Sequence, residues 1–217
     1  MAYRVAPYGP EHAAASARIH AEGQPGTFLT GLGGAFLAAL YAQMAASSRC
    51  YGFVALEDTP AGAEVVGVIV GTDDAGAVFK DVILRRGLRL LPSVAAALVR
   101  RPSLWPKVWE TLRYPGRAQG RSGECELLYL GARADRRRQG IGQALLNAAA
   151  AEAVRRGASA LTLTVDASNQ VAQQLYVRLG MRPVRCFTLY GRPMVWYETE
   201  LPSAQAAARY EGSEHAR

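Results

Sequence analysis

Residues Arg136 to Leu146, Arg-Arg-Arg-Gln-Gly-Ile-Gly-Gln-Ala-Leu-Leu, join three guanidinium groups to two closely spaced glycines and the start of a helical pattern. This combination is suited to holding phosphate. Gly140 and Gly142 lack a Cβ, so the chain can turn tightly and bring its N–H groups up to an anion. The helix that follows, with Ile141, Leu145, Leu146 and Ala149 on one face, would leave its first four N–H groups free and place about half a positive charge at that end. A pyrophosphate would fit there. Spacing separates the segment from two other glycine loops: the dinucleotide fingerprint needs a third glycine where Leu145 stands, and the P-loop needs a Gly-Lys-Ser/Thr string that the chain lacks. A plain strand-to-helix turn is the alternative reading.

A second segment lies downstream. Leu161 to Val165 reads as a short buried strand leading through Asp166-Ala167-Ser168-Asn169 into a helix. In that helix Val171, Ala172, Leu175, Tyr176 and Leu179 share a face, and Gly180 stands where a left-handed C-cap belongs. Arg137-x-x-Gly140-x-Gly142 resembles the Arg/Gln-x-x-Gly-x-Gly/Ala signature of the GNAT superfamily of acetyl-CoA-dependent N-acetyltransferases. Asn169-x-x-Ala172-x-x-Leu175-Tyr176-x-x-x-Gly180-Met181 resembles the second signature of the same superfamily. Three positions depart from the pattern: Arg138 stands where glycine is frequent, Ala134 where proline is frequent, and Met181 where phenylalanine is usual.

The resemblance implies an α/β GNAT fold: a mixed, mostly antiparallel twisted sheet with helices on both faces, whose central parallel strands, 124–132 and 161–165, splay to admit the donor. It implies acetyl-CoA as co-substrate, no metal, and transfer of the acetyl group to a primary amine by direct attack through a tetrahedral intermediate. The pyrophosphate would lie on Arg137, Arg138, Gln139, Gly140, Ile141, Gly142 and Gln143. The pantetheine arm would pair with the backbone near Leu130, Gly131 and Ala132, and Asn169 would contact that arm or cap its own helix. Glu126 is the candidate general base, because an amine of pKa near 10 is mostly protonated at pH 7, a handicap of about 4 kcal/mol. Strand alternation puts Glu124 on the same face, so it could assist; solvated carboxylates at a strand start are the other reading. Tyr176 is the candidate general acid for the departing thiolate, or else a core tyrosine on an apolar helix face.

The elements that must position these groups follow from the rest of the chain. Strands are expected at 3–6, 50–57, 64–72, 124–132, 161–165, 183–190 and 194–201, the last two linked through Gly191-Arg192-Pro193. A helix starting at Pro10 precedes an uncharged one with Leu32, Phe36, Leu40 and Met44 at helical spacing. The reading is one domain over 1–201, with 202–217 as a flexible tail. A basic helical insertion, about 81–121, falls between the third and fourth strands, divided into short helices by Pro92, Pro102 and Pro106. From Arg85 to Arg121 there are nine basic residues against one acidic residue, Glu110, whereas the whole chain carries a net charge of +7.

That charge gives the insertion four readings: a lid, a surface attracting an anionic acceptor, an amphipathic face on anionic lipid, or a solvated arginine face. Nucleic acid is not expected, because Trp105, Trp109 and Tyr114 suit packing more than base stacking. Cys50, Cys125 and Cys186 have no metal spacing and suit a reducing cytoplasm, and Met1 to Pro10 lacks the pattern of a signal peptide. His12 and His20 could line the acceptor pocket or be satisfied structural histidines. The segment Pro25 to Gly33 is similar, more loosely, to acetyltransferases of cell-surface polysaccharide biosynthesis. The expected acceptor is thus a small primary amine, such as an amino sugar or nucleotide-linked amino sugar. A protein or peptide amine is the alternative within enzymes, and a non-catalytic CoA-binding regulatory or peripheral membrane protein is the alternative outside them. The oligomeric state stays open, with a dimer as one option.

Overall fold

The computed structural model describes residues 3–78, 87–113 and 123–202. Its strands are β1 (Tyr3–Pro7), β2 (Cys50–Thr59), β3 (Gly62–Thr72), β4 (Glu124–Ala132), β5 (Ala160–Asp166), β6 (Arg182–Leu189) and β7 (Arg192–Glu200). Its helices are α1 (Ala13–Gly23), α2 (Phe28–Gly31), α3 (Gly34–Ala45), α4 (Gly87–Arg100), α5 (Trp105–Arg113), α6 (Ile141–Arg155) and α7 (Gln170–Arg178). The strands form one sheet in the order β1-β2-β3-β4-β5-β7-β6. Every neighbouring pair is antiparallel except β4 and β5.

Both faces of the sheet are covered, which is why the middle of β3 is a nearly unbroken apolar run from Val65 to Val70 rather than an alternating one. On one face α6 sets Ile141, Leu145, Leu146 and Ala149 against Cys125, Leu127, Leu161, Leu163 and Val165, with Tyr176 of α7 in the same cluster. On the other face α1 and α3 bring Ala13, Ala17, Ile19, Leu37 and Tyr41 against Val54, Leu56, Val68, Val70 and Tyr129. Each large side chain so buried contributes roughly 1.5–3 kcal/mol. This apolar burial holds β4 and β5 in place while leaving their far ends free to diverge.

Three expectations change. The β6–β7 turn is Tyr190-Gly191, both in the left-handed region (φ 53° and 75°), a two-residue turn that matches strand twist. Arg192 and Pro193 therefore lie in β7, with Pro193 opposite Thr188. Pro92 does not divide the insertion, since α4 runs through it from Gly87 to Arg100. Losing one backbone bond there, about 3 kcal/mol, is offset by packing of Ala97 and Leu98 against Phe36 and Leu40. Pro102 opens a 3-10 turn and Pro106 lies in the first turn of α5, where no bond is lost. Trp105 and Trp109 do not pack inside either: they are 61% and 58% exposed, while Leu104 is buried and Val108 packs beside it. The outer parts of the insertion, including Tyr114 and the basic residues Arg85, Arg86, Arg117 and Arg121, lie outside the described residues, as does the expected tail beyond Pro202. Among the described residues no helix is long and apolar enough to cross a membrane.

Candidate functional site

β4 and β5 stay hydrogen-bonded only from Glu124–Ala160 to Leu127–Leu163. Beyond that pair each strand keeps its outer partner, β4 running with β3 to Ala132–Gly67 and β5 with β7 to Asp166–Met194. The two inner edges therefore part and leave backbone N–H and C=O groups lining a slot. Such groups favour an extended ligand that can pair with them as a further strand would. Leu130, Gly131 and Ala132 lie on the β4 edge of that slot.

A β-bulge at Leu128 marks the point of divergence: Val70 pairs with Tyr129 and the next residue, Gly71, with Leu127. The extra residue turns Tyr129 onto the α1 side of the sheet, where its ring stacks on His20 at 4.4 Å. The Tyr129 hydroxyl donates to the Ile19 carbonyl at 3.2 Å and lies over Gly131, where any Cβ would collide with it. This contact explains the glycine at 131 without invoking unusual backbone angles.

The loop after β4 supports an anion site. Gly140 is the N-cap of α6 in the left-handed region (φ 81°), and the first intrahelical bond runs from Ala144 N to Gly140 O at 3.0 Å. The N–H groups of Ile141, Gly142 and Gln143 precede that bond and have no carbonyl within the helix to accept them. Arg137, Arg138, Gln139 and Gln143 are exposed around them. Arg137 donates through Nε to the Ala132 carbonyl at 3.3 Å, tying the loop to the slot edge. Arg136 is turned away, bound to Glu57 at 2.8 Å and Asp135 at 2.9 Å. The Cβ of a larger residue at 142 would stand 3.2 Å from Leu175 Cδ2, so Gly142 also sets how closely α6 approaches α7.

Arg138 adopts φ 61°, a left-handed conformation, which accounts for the frequency of glycine at this position of the motif. That conformation costs a side-chain-bearing residue roughly 1–2 kcal/mol. Arg138→Gly is expected to raise stability by about 0.5 kcal/mol after the entropy of the freer unfolded chain, and to weaken CoA binding by removing a cation. Thermal melting and calorimetric titration with CoA read the two effects separately, and a loss of stability would contradict the strain.

The face of the sheet opposite α6 carries the polar groups. Cys125 and Leu127 point to the α6 core, so Glu124 and Glu126 point the other way, beside Thr162 and Thr164 of β5. The Glu126 Oε2 and Thr164 Oγ1 atoms are shut off from solvent, and neither has a hydrogen-bond partner among the described residues. Burial pushes the Glu126 carboxyl up to about 7, against the pull of Arg185 and helped by the neighbouring Glu124. Farther across the same face Glu198 forms an ion pair with Arg182 at 3.6 Å, and Arg185 lies over the Trp196 ring at 5.0 Å.

Tyr176 is buried on the other side, 5.9 Å from the Tyr197 ring between centroids, and burial raises its phenol to about 12. Asn169 caps α7, its Oδ1 accepting from Ala172 N at 3.2 Å. That leaves Glu126 and the loop at opposite ends of the β4 slot, with Leu130 to Ala132 between them and Tyr176 across the sheet.

His20 belongs to the core: its Nδ1 lies 3.0 Å from the Tyr41 hydroxyl, and burial lowers it to about 4, so the ring is neutral. His12 Nδ1 accepts from Gly9 N at 2.9 Å. Cys125 is buried and its thiol is pushed upward by that burial, which removes it as a thiolate nucleophile; Cys50 is raised to about 11. Among the described residues no cluster of His, Cys, Asp and Glu could hold a metal ion. Thr164, Trp196 and Arg185 were not singled out from sequence. Thr164 has only the alternation of β5 as a signal, Trp196 only that of β7, and for Arg185 the alternation of β6 is obscured by a bulge at Val184.

An open mixed sheet with one splayed parallel pair and a phosphate-type helix start defines a class, the acyltransferases that bind their donor along a sheet edge. Residues 28–181 match the model of the acetyltransferase (GNAT) family, and this chain belongs to that family. No curated protein matches the chain. Among solved structures it is similar to a GNAT-family acetyltransferase from Desulfovibrio desulfuricans, with TM-score 0.60 and 14% identity over 93% of this chain and 100% of that one. It is also similar to the ribosomal-protein-S18-alanine N-acetyltransferase of Escherichia coli (TM-score 0.57, 15% identity, 94% and 96% covered). Arabidopsis thaliana NAA60 in complex with acetyl-CoA matches at TM-score 0.58 and 16% identity, with 92% and 98% covered. At these identities the likeness establishes the GNAT fold.

Proposed function

We propose that the protein transfers an acetyl group from acetyl-CoA to the primary amine of a small molecule, an amino sugar or nucleotide-linked amino sugar being the leading candidate. The observation that carries this reading is Glu126, a carboxylate with an unpartnered buried oxygen beside the point where β4 and β5 diverge. A carboxyl held at about 7 is half-ionised at neutral pH, close to the best compromise for a base that must accept a proton and still be available. Its Oε2 has no competing donor, so once the side chain turns this covered oxygen toward the slot it would accept from an incoming ammonium, directly or through one water.

The remaining groups take roles consistent with their placement. When bound, acetyl-CoA supplies an activated acyl group as a thioester. The first-turn N–H groups of Ile141, Gly142 and Gln143, capped by Gly140 and surrounded by Arg137, Arg138, Gln139 and the Gln143 side chain, would hold its pyrophosphate. Leu130, Gly131 and Ala132 would pair with its pantetheine arm through their backbone, and an N–H there would polarise the carbonyl. Asn169 acts on this reading as a helix cap, fixing the start of α7 and so the position of Tyr176. With its phenol at about 12, Tyr176 is too weak an acid to give its proton fully to a thiolate whose conjugate acid has a pKa near 8.5; it stabilises the sulfur by hydrogen bonding instead.

Tyr176→Phe is therefore expected to lower kcat only about tenfold, the worth of one neutral-to-charged hydrogen bond, with acetyl-CoA affinity unchanged. Steady-state kinetics with calorimetric titration checks it; an unaltered kcat would remove Tyr176 from the reaction. The proposal as a whole is tested by following thiol release from acetyl-CoA across a panel of amino sugars, nucleotide-linked amino sugars, polyamines and basic peptides. Acceleration by peptides above all small amines would shift the function to protein acetylation. Binding without accelerated release by any amine would leave a CoA-binding protein and no enzyme.

A further inference from the structure

Arg185 is a cation with no assigned partner at the site just described. It forms no hydrogen bond or ion pair with any described residue, and its guanidinium lies over two aromatic rings, Trp196 at 5.0 Å and Phe187 at 5.4 Å. Its neighbour on the strand shows the contrast: Arg182 is paired with Glu198 at 3.6 Å. A guanidinium held over aromatic rings keeps its N–H donors free for a planar or tetrahedral anion, because the ring faces accept none of them as conventional hydrogen bonds.

The register places that guanidinium on the acceptor side of Glu126. Arg185 is opposite Trp196, Trp196 is opposite Thr164, and Glu126 is opposite Thr162, two residues earlier on the same strand. All lie on the face away from α6, since Leu161, Leu163, Val165, Val195 and Tyr197 occupy the core face between them. The two charges thus stand at opposite ends of one strip, separated at the backbone by three strand spacings of about 4.8 Å and two residues along β5, with the Arg185 guanidinium lying over Trp196 on the strand between. Between them the Thr164 hydroxyl is buried and unpartnered. The interaction is felt already without ligand, because Arg185 pulls the Glu126 carboxyl downward against burial.

We propose that Arg185 anchors an anionic group of the acceptor, so that the preferred acceptor is an amine carrying a carboxylate or phosphate several bonds away, its ammonium at Glu126 and its anion at Arg185. This deepens the amine-acetylation reading and rests on it. It also locates the recognition of negative charge on β6, inside the described sheet, rather than in the basic insertion. An acceptor with no charge would leave the guanidinium as it stands, whereas a second cation near it would be repelled.

The test compares ω-amino carboxylates of three to six carbons and 2-aminoethyl phosphate with uncharged counterparts, the primary amides of the same amino acids and 2-aminoethanol. Binding is read by calorimetry in the presence of CoA, and transfer by kcat/KM. The expected result is that the anionic amines bind about tenfold more tightly than their uncharged counterparts, that Arg185→Gln collapses this ratio toward one, and that Arg185→Lys retains part of it. The ratio cancels any general effect of the substitution on folding. Preference for phosphate over every carboxylate would assign the anion as a phosphoryl group, and preference for one carboxylate length would assign a carboxylate and give the span. Equal binding of charged and uncharged members to the wild-type protein, or a ratio that survives Arg185→Gln, would overturn the proposal. Anionic amines that bind through Arg185 but are never acetylated would uphold the anchor and overturn the transfer reading.

Discussion

Glu126→Gln is expected to raise the melting temperature at pH 8 by on the order of 8 °C, to change it far less at pH 4.5, and to cut acetyl transfer about a hundredfold. The stability effect follows from the carboxyl being held at about 7 in the folded chain against an ordinary value of 4.5. At pH below 4.5 the group is neutral in both states and costs nothing by ionisation. Between 4.5 and 7 the unfolded chain releases its proton while the folded chain keeps it, so stability falls as pH rises. Above 7 the folded chain must hold a buried carboxylate, and the full penalty, about 3 kcal/mol, is present. An amide of the same shape never ionises, so it escapes that penalty. The activity effect has the opposite sign if, as proposed, the ionised form is the base. Wild-type kcat/KM should climb through pH 7 as Glu126 deprotonates, and the variant should lack that limb. Melting curves and rate profiles from pH 4.5 to 9 measure both. A melting difference that is the same at every pH would show that Glu126 is not held protonated by burial.

A carboxyl kept buried at a cost in stability is invisible in sequence, and the same holds for most features that depend on tertiary contacts. The glycine turn into α6 and the capped start of α7 are legible in sequence because they are local: glycines, a cap and helical spacing act within one segment. β4 was placed to the residue for the same reason, its alternation being regular as far as Leu127. The bulge at Leu128 was not readable, because it depends on how β3 pairs with β4, and it alone decides that Tyr129 joins His20 and Tyr41 on the α1 side. Trp105 and Trp109 misled in a different way. Their spacing suits a buried helix face, but the α5 face that packs carries Val108, next to Leu104, and the indoles remain outside. For Arg185 strand alternation alone is not enough, since its position over Trp196 needs the hairpin register and the bulge at Val184 together.

Gly142 allows the phosphate loop and the helix packing to be separated by a graded series. Gly142→Val should weaken CoA binding by about a hundredfold, the loss of one or two charge-assisted hydrogen bonds from the first-turn N–H groups. The structure gives the route. The Cβ at 142 would point at Leu175 Cδ2, 3.2 Å away, so a branched side chain levers α6 from α7 rather than standing in the path of the anion. Overpacking of this kind costs about 1–3 kcal/mol and shifts backbone, here the turn whose N–H groups must converge. Gly142→Ala should be tolerated, because one methyl needs the flexible end of Leu175 to move only a few tenths of an ångström, and alanine gains up to about 1 kcal/mol of helix propensity. Leu175→Ala in the valine background removes the obstacle and should restore most of the affinity. Calorimetry with CoA across the three variants decides the matter. Unchanged binding in Gly142→Val would refute the phosphate-loop assignment, whereas weak binding that Leu175→Ala fails to rescue would mean that the valine meets the pyrophosphate directly.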